Sequence, residues 1–347
     1  MTLVTVLMPV YNVAPWLPET ISSILNQTFT DFDFLIINDG STDNSGEIIN
    51  SFNDPRIRYI KNSRNLGYIE CLNFGLKSIT SKYIVRMDAD DISMPDRLAK
   101  QVAYMEAHPE VVVCGGSRIN LFEESTRKPQ LIKAVTDTNR LFIQSIFNTS
   151  IHHPSAIIRT SVVKENQLEY KERFYYAEDK EFWLKLSQFG LLANVSDPVL
   201  YYRIHSKQVT FLFLETQRAN STTITQEFFN RNGICIPGRS LKALRKICYE
   251  ESCTSLSELR EVEELIFFIL EKALATGLAY SNELEIELKK RMVTIVSRSS
   301  RVGFEMFAFV YKSKLISLMQ MGPSTYLKIG ARYFYKGNNP LPKGIRI

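Results

Sequence analysis

Paired cysteines, long apolar runs and histidines are scarce in this 347-residue chain. Each scarcity excludes something. The five cysteines (Cys71, Cys114, Cys235, Cys248 and Cys253) form no C-x-x-C pair, and their odd number and spacing suit no zinc site. A reducing compartment is the expected setting. No apolar run approaches the roughly 20 residues that a bilayer crossing needs. The longest, Leu265–Leu270 and Met306–Tyr311, are expected inside core helices. Met1–Pro9 is apolar but has no basic leader and no small-residue cleavage site, so a buried strand is expected there rather than a signal peptide. Repeats and low-complexity segments are missing too. What is present is a globular composition, 45% hydrophobic and 23% charged, which rules out a disordered or coiled-coil chain.

The net charge of +5 hides a division. Residues 289–347 hold twelve Lys/Arg and one acid, Glu305, a net of +11. The first 288 residues hold 30 basic and 36 acidic side chains, a net of −6. An acidic body with a basic end is a statement about partners.

Along the body, short β-rich runs alternate with amphipathic stretches. Strands are expected at 3–10, 34–37, 57–60, 83–87 and 111–114, with helices at about 67–78 and 95–108 between them. That alternation predicts an α/β fold with a mostly parallel, doubly wound sheet, whose sites gather at the carboxyl ends of strands. Polar clusters at 11–12, 38–43 and 88–91 fall at such ends. From 119 to 210 the pattern is mixed, with helices at 136–147 and 178–189 and strands at 155–159 and 198–203. From 211 onward it is helical, punctuated at Gly233–Gly238, Gly277, Gly303 and Gly322. The expected domains are 1–210 and 211–347.

Asp88-Ala89-Asp90-Asp91 puts three carboxylates on one loop after a strand. Such carboxylates repel unless a cation neutralises them, and hard oxygen donors suit Mg²⁺ or Mn²⁺ shared with a diphosphate. A solvated turn opening the next helix is the plainer alternative. Asn38-Asp39-Gly40-Ser41-Thr42-Asp43 reads either as a turn and helix cap or as a site where Asp39 accepts a hydrogen bond from a base or ribose. His152 and His153 are adjacent on extended chain, so their side chains point to opposite faces and only one can serve a site.

Taken in order, Val4–Asn12, Ile21–Thr28, Asn38–Asp43, Asn65-Leu66-Gly67, and Asp88–Asp91 with Pro95-Asp96-Arg97-Leu98 resemble glycosyltransferase family 2. The resemblance is dense over about residues 3–116 and looser to about 210. It implies the Rossmann-like GT-A fold with a helical C-terminal region, and an inverting, nucleotide-sugar-dependent activity. By the same resemblance, Pro9 and Tyr11 line the nucleobase pocket and Asp39 accepts the uracil N3–H, which favours a UDP-sugar. Asn65 and Gly67 belong to the sugar-nucleotide loop. Asp88 meets the ribose or sugar, and Asp90, with Asp91 as a further contact, holds Mn²⁺ or Mg²⁺. Tyr176–Trp183 is similar to the family's acidic motif at a helix start, with Asp179 as base and Glu178 as its neighbour; a carboxylate there is favoured as the anion. Tyr201–His205 is similar to a closing segment in which Arg203 meets the diphosphate and His205 the metal. His153 and Trp183 are expected beside the acceptor.

The expected reaction is metal-assisted single displacement onto a lipid-linked or surface glycan. The tail mixes basic residues with aromatics such as Phe304, Phe307, Tyr311 and Tyr333–Tyr335. That pattern suits an anionic membrane surface, with single-stranded nucleic acid as the competitor; the sugar chemistry of the body favours the membrane. The expected location is cytoplasmic, peripheral on the inner face of the cell membrane, with no nucleic-acid partner. Three rivals stand: a sugar nucleotidyltransferase, which needs a Gly-rich triphosphate loop that residues 9–16 lack; a non-catalytic nucleotide-sugar-binding or scaffold protein; and a binding module carried by the tail alone.

Overall fold

The computed structural model describes residues 2–123, 127–206, 208, 212–299, 302, 305–313 and 315. The first four apolar runs become β1 (Val4–Val10), β2 (Phe32–Asn38), β3 (Ile57–Lys61) and β4 (Tyr83–Arg86). They lie in the order β3-β2-β1-β4, every neighbour parallel. Buried on both faces, β1, β2 and β4 read as continuous hydrophobic runs. The strand period of two still sorts their side chains. Val6, Met8, Phe34, Ile36 and Val85 enter one core layer, and Leu7, Leu35, Ile37 and Ile84 enter the other.

The helices of this half are α1 (Leu17–Leu25), α2 (Ser45–Ser51), α3 (Tyr68–Ser78), α4 (Arg97–Ala107), α5 (Thr138–Phe147), α6 (Thr160–Glu165) and α7 (Glu178–Leu186). Ile21, Ile49 and Leu98 place α1, α2 and α4 on the first layer. Leu72, Leu141, Val163 and Phe182 place α3, α5, α6 and α7 on the second.

Beyond β4 the sheet is mixed. It adds β5 (Ile92–Ser93), β6 (Val111–Phe122), β7 (Gln130–Ile132), β8 (Ile157–Arg159) and β9 (Leu191–Ile204), in the order β4-β8-β6-β9-β5 with β7 on β6. β8 is antiparallel to β4 and β6, whereas β6 and β9 are parallel. The strand expected at 111–114 continues to Phe122 because β9 pairs with it along its whole length. β5 is only two residues long, but it binds antiparallel to Leu200–Tyr201 of β9. That pairing carries Arg203 and His205 back to the acidic loop between β4 and β5.

The chain divides into two compact units, the first Met1–Asn220 and the second from Ser221 onward. The early turns of α8 (Leu214–Arg231) belong to the first unit, where Asn220 Nδ2 donates to the Tyr175 carbonyl at 2.9 Å. In the second unit, α9 (Leu241–Tyr249), α10 (Leu256–Thr276), α11 (Ser281–Arg298) and α12 (Glu305–Lys312) follow, and Leu244, Ile266 and Met292 are fully buried. α10 and α12 contain the two longest apolar runs. Among the described residues, no helix is long and apolar enough to cross a membrane.

One part of the basic end changes character. Arg291 is buried, paired with Glu287 at 2.8 Å, and donates to the carbonyls of Ile247 and Cys248. Lys289 pairs with Glu285. These acids precede residue 289 by one helical turn or less, so the charge excess of that stretch is largely neutralised within α11. Arg301, Lys314, Phe304 and all of 316–347 lie outside the described residues, and nothing of Phe307's side chain is described.

Candidate active site

Three parallel strands deliver the site. β1, β2 and β4 end side by side, and Asp39 N–H donates to the Val10 carbonyl at 2.8 Å. The carboxyl ends of adjacent strands therefore share one edge, as sheet topology requires.

At the end of β4, Asp88, Asp90 and Asp91 bring one carboxylate oxygen each within 4.8 Å of one another. α1 holds the loop from below: the Thr20 hydroxyl lies 2.7 Å from the Asp91 carbonyl. Gln27 ties down the next corner, donating to Met94 O at 2.7 Å and accepting from Leu98 N–H at 3.0 Å. Burial pushes Asp88 up, opposed by its pairing with Arg86. Burial, then the charges of Asp90 and Asp88, push Asp91 well up. Asp91 Oδ1 accepts from Arg203 N–H at 2.9 Å, while its Oδ2 is buried with no partner among the described residues. His205 Nε2 stands 3.0 Å from Asp90 Oδ2, its ring stacks on Trp16 at 4.1 Å, and its buried Nδ1 likewise has no partner among the described residues. Crowded carboxylates with orphaned buried donor atoms fit a hard divalent cation.

Two loops at the ends of β1 and β2 lock together. Asn12, at φ 52°, accepts from Thr42 N–H at 2.8 Å. Asp39 is 2% exposed and accepts from Asn62 Nδ2 (2.8 Å), Leu66 N–H (2.9 Å) and Gly67 N–H (2.8 Å). The Cys71 thiol faces the same carboxylate, so Asp39 is a buried hub of donors from three segments. Asn65 also accepts from Gly67 N–H, at 3.0 Å. Gly67 sits at φ 99°, and a Cβ there would lie 2.7 Å from the Tyr175 hydroxyl. Gly67→Ala is expected to destabilise the protein by about 1–3 kcal/mol through backbone strain, and to weaken nucleotide binding. Urea unfolding and nucleotide titration measure both, and a variant matching the parent in each would show that the loop tolerates a side chain.

The acid pair opens α7, whose Phe182 and Trp183 anchor it in the core. Glu178 is buried and accepts from the Tyr68 hydroxyl at 2.6 Å. Asp179 is half-buried; its Oδ1 accepts from Lys180 N–H at 2.7 Å, with the Thr149 hydroxyl at 3.5 Å. Burial, then the charge of Asp179, push Glu178 up to about 8. Burial pushes Asp179 up to about 6, against the Lys180 backbone bond and the Arg86 charge. The larger upward push on Glu178 favours the proton there and the anion on Asp179. Two carboxylates separated in this way take different roles.

The family profile described as Glycosyl transferase family 2 matches residues 5–166. An uncharacterized glycosyltransferase of Haemophilus influenzae is 30% identical over 299 residues, which cover 82% of this chain and 92% of that protein. The chain belongs to glycosyltransferase family 2. Two solved structures share the fold. One is S. aureus TarS 1-349 in complex with UDP-GlcNAc (TM-score 0.51, 19% identity, covering 86% of this chain and 91% of that one). The other is the mannosyltransferase PcManGT from Pyrobaculum calidifontis in complex with GDP-Man and Mn²⁺ (TM-score 0.51, 16% identity, covering 97% and 88%). The sheet is that of a GT-A glycosyltransferase.

Within this glycosyltransferase, the expected site residues separate into those at the surface and those beneath it. Tyr11 is 45% exposed at the end of β1, above half-buried Pro9, and Asn65 is exposed. Trp183 corrects an expectation: it is fully buried, with Nε1 donating to the Ile151 carbonyl at 3.1 Å, so its ring cannot meet an acceptor. His153 is buried too, 3.0 Å from the Tyr170 hydroxyl and 3.9 Å from Glu178, so it lines the acid pair from within. His152 turns away from it, onto the Tyr202 ring, although the chain here is not the extended segment expected, since His153 opens a 3₁₀ turn. Arg203, expected on the diphosphate, is committed to the acidic loop: Nε donates to Asp90 O at 2.8 Å and Nη2 to Glu19 at 2.7 Å.

Arg86, Arg97 and Tyr68 carry more than the sequence revealed. Arg86 is a buried cation whose field reaches Asp88, Glu178 and Asp179. A lone arginine in an apolar strand is its one sequence signal, since a buried charge needs a partner. Arg97 is fully buried beneath the loop and donates to the Arg86 carbonyl at 2.9 Å; burial pulls it down to about 9. Tyr68 reads in sequence only as the start of a helix.

Proposed function

We propose that this glycosyltransferase moves a sugar from a UDP-sugar to a lipid-linked or surface glycan with inversion, Asp179 acting as base. The observation that carries the reading is the geometry of the acid pair at the start of α7: Asp179 is half-buried with Oδ1 held by Lys180 N–H at 2.7 Å, while Glu178 beside it is buried against the Tyr68 hydroxyl at 2.6 Å. In a single displacement the acceptor hydroxyl attacks the anomeric carbon, its proton passes to an Asp179 carboxylate oxygen, and the bond to the nucleoside diphosphate breaks. Asp90, Asp91 and His205 would hold the divalent ion, which when bound offsets charge on the leaving diphosphate. The Asp39 carboxylate at the end of β2 and the exposed Tyr11 ring at the end of β1 support a uracil-type base at that edge.

A panel of nucleotide sugars, scored by nucleoside diphosphate release with and without Mn²⁺, tests this. UDP release that requires Mn²⁺ is the expected result. Turnover of GDP-sugars alone would overturn the base assignment, and no turnover with any donor and acceptor glycan would overturn transfer itself.

The proposed location is the anionic inner face of the cell membrane. Residues 316–347 carry five Lys/Arg and no acid. Each basic residue near such a surface contributes about 1 kcal/mol. Removing 316–347 spares the buried residues of α11, and is expected to abolish pelleting with phosphatidylserine vesicles while leaving the fold intact. Unchanged pelleting would refute the membrane reading.

A further inference from the structure

We propose that Tyr68 is a positioning residue that ties the nucleotide loop to the catalytic carboxylates. The inference rests on Asp179 and Glu178 being the acids of transfer.

Gly67, held by Asp39, ends the loop and caps α3. Tyr68 is therefore the first helical residue, and its backbone is set by the Asp39 contacts. Its phenol then reaches 110 residues along the chain to donate to Glu178 Oε2 at 2.6 Å. The Tyr68 phenol oxygen in turn accepts from Tyr176 N–H at 3.1 Å. Tyr176 is in the left-handed region at φ 71°, a costly conformation for a tyrosine, and that N–H bond helps to hold it. Tyr175 packs edge-on against the Tyr68 ring at 5.0 Å, its hydroxyl close over Gly67. The segment leading into Asp179 is thus fastened to the nucleotide loop at two adjacent points. An ordered loop holds Tyr68, Tyr68 fixes Glu178 and the turn at Tyr176, and that turn aims Asp179. Among the described residues, the charged or titratable groups facing Glu178 are Tyr68 from α3, Tyr170, Tyr175 and Tyr176 before α7, Asp179 from α7, Arg86 from β4 and His153 before β8. Tyr68 donates a side-chain hydrogen bond to its carboxyl, beside one from the Glu178 backbone, and a donor favours the ionised form.

Tyr68→Phe keeps the ring and removes both bonds. The expected result is a fall in kcat of about tenfold to a hundredfold, the scale of leaving a buried polar group without its partner. Donor KM should stay within about threefold because no nucleotide contact is removed, and the upper limb of the pH–rate profile should move to higher pH. Parent-like kcat and an unmoved upper limb would overturn the proposal, and so would equal losses in kcat/KM and thermal stability with an unshifted profile. Should Tyr68→Phe fail to fold, a ring-fluorinated tyrosine at position 68 decides. It is a stronger donor and is expected to lower the upper limb; no movement overturns the proposal. Isotope-edited infrared titration of the Glu178 carboxyl needs no turnover. If the parent protein transfers no sugar, the transfer reading falls, and an unshifted titration in Tyr68→Phe separately defeats the positioning role.

Discussion

Asp179→Asn is expected to lower kcat by about 10²–10⁴-fold, the usual contribution of a positioned base, with nucleoside diphosphate affinity unchanged. The amide keeps the size of the side chain, and its oxygen can still accept from Lys180 N–H, so the start of α7 should not move. What is lost is the capacity to take a proton. The pH dependence has a definite sign. The base works only as the anion, so activity is present above the pKa of Asp179 and is lost as pH falls through about 6. In the variant that acid limb should disappear from the residual rate. Steady-state kinetics across pH, with nucleotide binding by calorimetry, measures both. A variant with parent-like kcat would remove Asp179 from the chemistry. One that also lost nucleotide binding would show that the residue shapes the donor site instead.

Asp90→Ala is expected to abolish Mn²⁺-dependent turnover, a loss of at least about 10²–10³-fold, the scale of removing one stabiliser of developing charge. Asp90 is the carboxylate shared by the acidic cluster and His205. Without it, His205 loses its 3.0 Å partner and keeps only the stack on Trp16. The mutual repulsion that raises Asp91 also weakens, so the variant should fold at least as well as the parent without metal. That separates a metal role from a structural one. Direct Mn²⁺ titration and melting curves with and without metal provide the check. Retained Mn²⁺ binding and turnover would place the ion elsewhere.

Much of this was legible in order along the chain. The strands at 3–10, 34–37 and 83–87 declared themselves because a strand buried on both faces is apolar for most of its length, and the one at 57–60 by its β-rich residues at a half-covered edge. The carboxylates at 39, 88, 90, 91, 178 and 179 stood at strand ends or a helix start, where sheet topology and the helix dipole give them work. Misreadings arose where side chains of similar type serve opposite purposes. Trp183 beside an acidic motif looks like an acceptor platform, but helical spacing sends it into the core with Phe182. A count that begins at residue 289 separates Lys289 and Arg291 from Glu285 and Glu287, which neutralise them one turn earlier.

The sequence by itself determined the α/β layering, the family and the set of acids, because periodicity and motif order are local properties of the chain. The tertiary structure decided which acid keeps its proton, because that depends on burial and on Arg86 and Tyr68 arriving from distant elements. It also turned Arg203 onto the acidic loop, through a β5–β9 pairing that brings residues more than a hundred positions apart into contact. Charge and proton placement are set by neighbours in space, and those neighbours exist only once the sheet has formed.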